Sequence, residues 1–138
     1  MNTSVRLIND NYISPETAVR KFRSARKFRT PLYLYGVTGI GKTSLVMNNL
    51  NMKRCTYYSA ADTAAEMVEI KEYEGERTVI LDDLHCVTDS AQRELFSAKI
   101  RQLLDQDNVW LILIGRCPFP RWLLGLFFYR ITEPQYSC

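Results

Sequence analysis

A three-layer α/β fold, with a parallel sheet of about five strands and helices on both faces, is predicted by three features of the sequence. Strand-like and helix-like segments alternate along it. A glycine-rich loop joins one such strand to one such helix, and the apolar run from Val109 to Ile114 has the character of a strand buried in the middle of a parallel sheet. At 138 residues the chain suits a single domain that can bury a real core.

The first dozen residues carry no clear pattern. Ser14-Pro15-Glu16 then reads as a helix start, with a capping Ser, Pro at the first helical position and an acid in the first turn. Val19, Phe22, Ala25 or Arg26, and Phe28 form an irregular apolar stripe on this helix, while Arg20, Lys21, Arg23, Arg26, Lys27 and Arg29 crowd its other faces. Such a run reads as the solvated side of a helix covering the sheet edge, with a DNA-contacting helix as the alternative.

Pro31 to Tyr35 reads as a buried strand, and Ser44 to Leu50 as the helix beyond the loop. Arg54 to Ser59 has the β-branched and aromatic content of a second strand. The polar, partly acidic segment from Asp62 to Tyr73 predicts a surface helix, closed by Glu74-Gly75-Glu76. Thr78 to Leu81 makes the third strand and ends in Asp82-Asp83. Asp89 or Ser90 caps the next helix, whose buried face is marked by Phe96, Ile100, Leu103 and Leu104 at helical spacing. The fourth strand, Val109 to Ile114, leads into Gly115-Arg116. Trp122 to Tyr129 is apolar on all sides of a helix, so it predicts a docking surface for another domain or another copy of the chain; Ile131 to Glu133 reads as the start of a fifth strand.

The loop Gly36-Val37-Thr38-Gly39-Ile40-Gly41-Lys42-Thr43 matches the phosphate-binding P-loop pattern in full. Its backbone N–H groups point inward at phosphate oxygens, which requires glycine where a Cβ would block the turn or the ligand. Lys42 supplies a mobile positive charge for the β- and γ-phosphates, the Thr43 hydroxyl is placed to ligate Mg²⁺, and Ser44 completes the phosphate-facing set at the mouth of a helix whose N-terminus favours an anion. ATP or ADP with Mg²⁺ is the expected cofactor. Ligands of such sheets sit beyond the carboxyl ends of the strands. Asp82 falls at one of these ends as the magnesium acid, and Asp83 follows it where a carboxylate can polarise an attacking water. Arg116 ends the fourth strand as a γ-phosphate sensor, with a surface salt bridge as the competing account. His85, the only histidine, either senses the γ-phosphate or hydrogen-bonds the loop.

Other functions have weaker support. The net charge of +3 neither demands nor excludes nucleic acid. The four cysteines, Cys55, Cys86, Cys117 and Cys138, stand singly, which argues for reduced, mostly buried thiols and against a zinc or redox motif. The apolar runs are too short to span a bilayer and the N-terminus lacks a signal-peptide core, so a cytoplasmic location without membrane contact is expected.

The P-loop, Val-Ile-Leu-Asp-Asp-Leu-His at 79–85, and Leu-Ile-Gly-Arg-Cys-Pro at 113–118 followed by Pro-Arg-Trp-Leu-Leu resemble the ATPase domain of STAND-class signalling proteins. Within that class the sequence, from Tyr12 to Glu133, is most similar to the large LuxR-type bacterial transcriptional regulators typified by the maltose-regulon activator. The resemblance implies a slow ATPase used as a switch in a multidomain regulator. ATP would favour a homo-oligomer, downstream domains of the same chain would pack on this one, and DNA would be bound only by a separate helix-turn-helix domain. By position, Lys42 and Thr43 carry over as phosphate and magnesium ligands, Asp82 as the magnesium acid, and Asp83 and Arg116 as the catalytic acid and sensor. The sequence departs from that pattern at Gly115, where Ser or Thr commonly precedes the Arg, and has no recognisable N-terminal arginine motif around Ser14-Pro15. On this reading residues 1–138 are one domain, the N-terminal part of a longer regulator. A remodelling ATPase of the AAA+ kind, which normally has Glu where Asp83 stands, and an interaction module with little nucleotide turnover are the rival expectations.

Overall fold

The sheet is built around the most apolar stretch of the chain. The computed structural model describes residues 3–9, 14–36, 39–116 and 119–128. Strands β1 (Thr3–Ser4) and β2 (Arg6–Asn9) precede helix α1 (Pro15–Phe28), strand β3 (Leu32–Tyr35) and helix α2 (Gly39–Asn48). Strands β4 (Cys55–Ser59) and β5 (Arg77–Asp82), helix α3 (Ser90–Leu104), and strands β6 (Val109–Gly115) and β7 (Phe127–Phe128) follow. The main sheet has five parallel strands in the order β2-β3-β6-β5-β4. All seven residues of β6, at its centre, are buried, as a strand covered on both faces requires.

The pleat sends alternate residues to two cores. Trp110, Ile112 and Ile114 join Ala18, Phe22 and Ala25 of α1 and Val46 of α2 on one face. Val109, Leu111 and Leu113 join Phe96, Ile100 and Leu103 of α3 on the other. These are the three layers expected. Helix α1 starts where its sequence predicts, with the Ser14 hydroxyl accepting from Thr17 N at 3.2 Å and Pro15 in the first turn. It ends at Arg29 in the left-handed region (φ 54°), which a non-glycine residue adopts only when its surroundings hold it there. The Arg29 guanidinium supplies that hold, donating to Asn108 O at 2.7 Å and pairing with Glu76 at 3.4 Å.

Four sequence expectations are corrected. The N-terminal dozen residues are not patternless, because β2 pairs with β3 along its whole length and forms the sheet edge. Asp62 to Tyr73 is not a surface helix; only Ala65–Met67 makes a single 3₁₀ turn. Side chains of α3 take over that segment's backbone groups: Gln92 Oε1 accepts from Ala65 N at 2.9 Å and Lys99 Nζ donates to Val68 O at 2.7 Å, while Ala65 and Val68 are fully buried. Tertiary hydrogen bonds thus replace the helical ones.

The apolar segment from Trp122 is likewise not an α-helix. Arg121–Leu126 is 3₁₀, with Pro120 before it, and β7 then pairs parallel with β1. Three residues per turn place Leu123 and Leu126 on one side, where both are buried in the core beside α3, and Phe119 packs edge-on to Tyr33 at 5.3 Å. Phe119, Leu123 and Leu126 therefore serve the chain's own core. Tyr129 and the strand expected at Ile131 to Glu133 lie outside the described residues. Of the thiols described, Cys55 is half-buried and Cys86 exposed, so the expected burial does not hold for them.

Gly115 closes β6 because nothing larger fits. A Cβ there would overlap the Tyr33 hydroxyl and lie 3.2 Å from two ring carbons of the same side chain. The space a Ser or Thr would occupy is filled by Tyr33. Gly115→Ala is expected to destabilise the fold by about 1–3 kcal/mol through overpacking, and the cost should shrink in a Tyr33→Phe background. Equal costs in both backgrounds, by denaturant unfolding, would show that the hydroxyl is not the obstacle.

Candidate functional site

The carboxyl ends of β3, β5 and β6 meet the N-terminus of α2, and the chemically loaded side chains gather there. Helix α2 begins at Gly39, earlier than the expected Ser44, which draws Lys42 and Thr43 into its first turns. Gly36 is buried at the end of β3. Val37 and Thr38 lie outside the described residues. Gly39, Ile40 and Gly41 form the first turn of α2, so the backbone of the loop's second half is helical. Ser44 points to solvent.

Lys42 is 4% exposed, and its ammonium donates to the Gly36 carbonyl, folding back over the loop that precedes it. A buried ammonium must be matched by oxygen acceptors, and phosphate oxygens brought to this turn meet the same requirement.

Asp82 comes from the α2 face of β5, since Ile80 and Asp82 alternate with Val79 and Leu81. It is 4% exposed and its carboxylate is fully engaged. Oδ2 accepts from Thr43 Oγ1 at 3.0 Å and from Tyr57 Oη at 2.5 Å; Oδ1 accepts from Asp83 N at 2.7 Å. The Thr43 contact joins the P-loop helix to the acidic strand end, bringing together the two residues expected to share a magnesium ion. A hydroxyl and a carboxylate converging in this way are a hard oxygen donor pair that suits Mg²⁺ completed by water and phosphate oxygens.

Asp83 follows in the left-handed region (φ 58°, ψ 37°), a strained setting that Asp tolerates better than most residues. Its carboxylate accepts from the Ser59 hydroxyl at 2.5 Å. His85 sits in the turn beyond. Burial first and the Arg116 guanidinium second push its imidazole below the ordinary range. Arg116 is exposed just beyond the end of β6 and makes no ion pair among the described residues.

Two members of this cluster were not legible as site residues. Tyr57 and Ser59 belong to β4, and the parallel register sets Tyr57 beside Ile80 and Ser59 beside Asp82. Their hydroxyls therefore reach one acid each. Burial, then the hydrogen bond to Asp82, raise the Tyr57 phenol well above its ordinary range, so it stays a donor. The available signal was the run of hydroxyl-bearing residues Thr56-Tyr57-Tyr58-Ser59, which acquires meaning only once β4 is known to neighbour β5.

The family model described as RNA helicase matches residues 32–112, more than half of the chain. The chain belongs to the RNA helicase family. The match runs from β3 through α2, β4, β5 and α3 into β6, so it contains Lys42, Thr43, Asp82 and Asp83 while Arg116 lies just beyond it. Membership of the RNA helicase family supports the P-loop NTPase reading and the nucleotide-binding domain it implies; the match does not extend to the LuxR-type subclass. No curated protein matches the chain. Among the described residues no helix is long and apolar enough to cross a membrane.

Proposed function

We propose that this chain binds ATP with Mg²⁺ at the α2 N-terminus, hydrolyses it slowly, and uses the cycle to remodel or move along RNA. The observation that carries the reading is the hydrogen bond from Thr43 to Asp82, which couples P-loop and acidic strand end in a chain of the RNA helicase family. In this account Lys42 exchanges its Gly36 acceptor for the β- and γ-phosphates. Thr43 and Asp82 hold the magnesium ion, which when bound neutralises charge on the triphosphate.

Asp83 orients the attacking water. As the water oxygen bonds to the γ-phosphorus and the bond to the bridging oxygen breaks, the water proton passes to the Asp83 carboxylate. That carboxylate is tied to Ser59 and must give up or share the bond, a reason for low intrinsic turnover. Arg116, unpaired by any described acid at the end of β6, is free to approach the γ-phosphate.

A second reading, a slow ATPase switch controlling a transcriptional regulator and its assembly with downstream domains, draws on the same tie between Ser59 and Asp83, since a switch requires a long-lived triphosphate state. RNA discriminates the two: turnover stimulated by single-stranded RNA favours the remodelling reading, and indifference to RNA favours the switch.

Lys42→Ala removes a charge-assisted contact of about 2 kcal/mol, so ATP affinity is expected to fall at least about tenfold. Labelled ATP binding as tightly to the variant as to the parent would place the nucleotide elsewhere. Asp82→Asn is expected to weaken the magnesium dependence of binding, whereas Asp83→Asn leaves affinity intact and depresses turnover; equal losses of affinity would remove that division of labour. Tyr57→Phe removes the partner that orients the magnesium acid. It should raise the magnesium concentration needed for half-maximal ATP binding by about tenfold while leaving metal-free nucleotide affinity unchanged. An unaltered magnesium titration would show that Tyr57 only packs there.

A further inference from the structure

The positive charge of this protein is concentrated on one helix. Helix α1 carries five of the 18 Lys and Arg residues against a single acid, Glu16, so the rest of the chain has thirteen basic and fourteen acidic residues. The apolar side of α1 is consumed by the fold: Ala18, Phe22 and Ala25 are at most 6% exposed against the sheet. Diametrically opposite them, Arg20, Arg23 and Lys27 follow at i, i+3 and i+7 and are all exposed. They span about 10 Å of helix. None of the three forms an ion pair among the described residues.

Beside the stripe, Phe28 is 70% exposed, the most open large apolar side chain among the described residues, with the Lys27 ammonium 5.6 Å from its ring centre. A shallow depression of about 500 Å³ is bordered by Glu16, Val19, Arg20 and Arg23. Unpaired cations in a row beside an open aromatic ring are the components of a surface for single-stranded nucleic acid, where the cations track the phosphates and the ring stacks on a base.

We infer that the outer stripe of α1, Arg20, Arg23 and Lys27 with Phe28 at its end, binds the phosphodiester backbone of a single-stranded nucleic acid. An anionic membrane fits less well, because an interfacial helix needs a free apolar face and that of α1 is buried in the core. An acidic protein surface would meet the cations but offers no base to stack on the ring. The stripe lies on the face of the sheet opposite α3 and does not include the P-loop residues, so binding is expected without nucleotide. Failure of this inference therefore leaves the ATP reading standing, and the converse also holds.

The test is fluorescence anisotropy of labelled oligouridine, and of the matching oligothymidine, each about 12 nucleotides long, titrated at low salt with the full chain. The parent is expected to bind both, with affinity falling as salt rises in proportion to the phosphates neutralised, a logarithmic slope of about −2 for three contacts. Arg20→Glu with Arg23→Glu should weaken binding at least about tenfold. The charge-matched double variant Lys71→Glu with Arg101→Glu, away from α1, should change it much less. Phe28→Ala should cost about fivefold or more with little change in salt slope. Equal losses in the two double variants would reduce the effect to net charge and overturn the inference. So would absence of binding by the parent, or equally tight binding of phosphatidylserine vesicles or polyglutamate. A preference of the stripe for RNA over DNA, or none, is read from the two oligonucleotides, and either is consistent with backbone recognition.

Discussion

The buried carboxylate of Asp82 is the constraint around which the site is arranged. A 4% exposed acid is tolerable only with its oxygens satisfied, and three elements supply the donors: α2 through Thr43, β4 through Tyr57, and the turn after β5 through the Asp83 N–H. Removing any donor leaves a charged oxygen short of a partner in a place water hardly reaches. The same arrangement gathers the groups that the proposed chemistry needs. The hydroxyl and carboxylate suited to magnesium are already in register, and the second acid is delivered to the adjacent position by a strained left-handed residue.

Sheet order makes this meeting possible. Strands β3 and β5 are separated by β6, so the P-loop and the acidic strand end leave the sheet two strands apart, roughly 10 Å, and α2 bridges the gap. Strand β6 carries no part of the contact but sets its span, which is why its packing matters: Gly115 at its end admits the Tyr33 ring that fills the opposite face. On the far side of β3, the sheet is completed by β2 from the N-terminal segment, and α1 crosses from it to β3 with its basic side turned outward.

Much of this was legible where the determining interactions are local. The Ser14-Pro15-Glu16 start of α1, the Asp89 cap of α3 and the apolar run of β6 each declare themselves within a few residues, and the structure has all three. Elements decided by distant partners were not legible. Strand β2 is only four residues, Arg6-Leu7-Ile8-Asn9, and becomes a strand by pairing with β3 across an intervening helix. The segment from Asp62 reads as a helix until Gln92 and Lys99 of α3 claim its backbone. The segment from Trp122 is apolar enough for a buried helix, but Pro120 before it and Gly125 within it favour a tighter turn that sends Leu123 and Leu126 inward. In the site, Lys42, Thr43, Asp82 and Asp83 follow from motif spacing, whereas Tyr57 and Ser59 depend on which strand lies beside β5, a fact of register that composition does not encode.

The central claim is that Thr43 and Asp82 form one half of a magnesium–nucleotide site. It is tested most directly by calorimetric titration of the chain with ATP in the presence and absence of magnesium. The account predicts saturable binding that strengthens markedly when magnesium is added. Absence of binding under both conditions, or an affinity indifferent to magnesium, would contradict it.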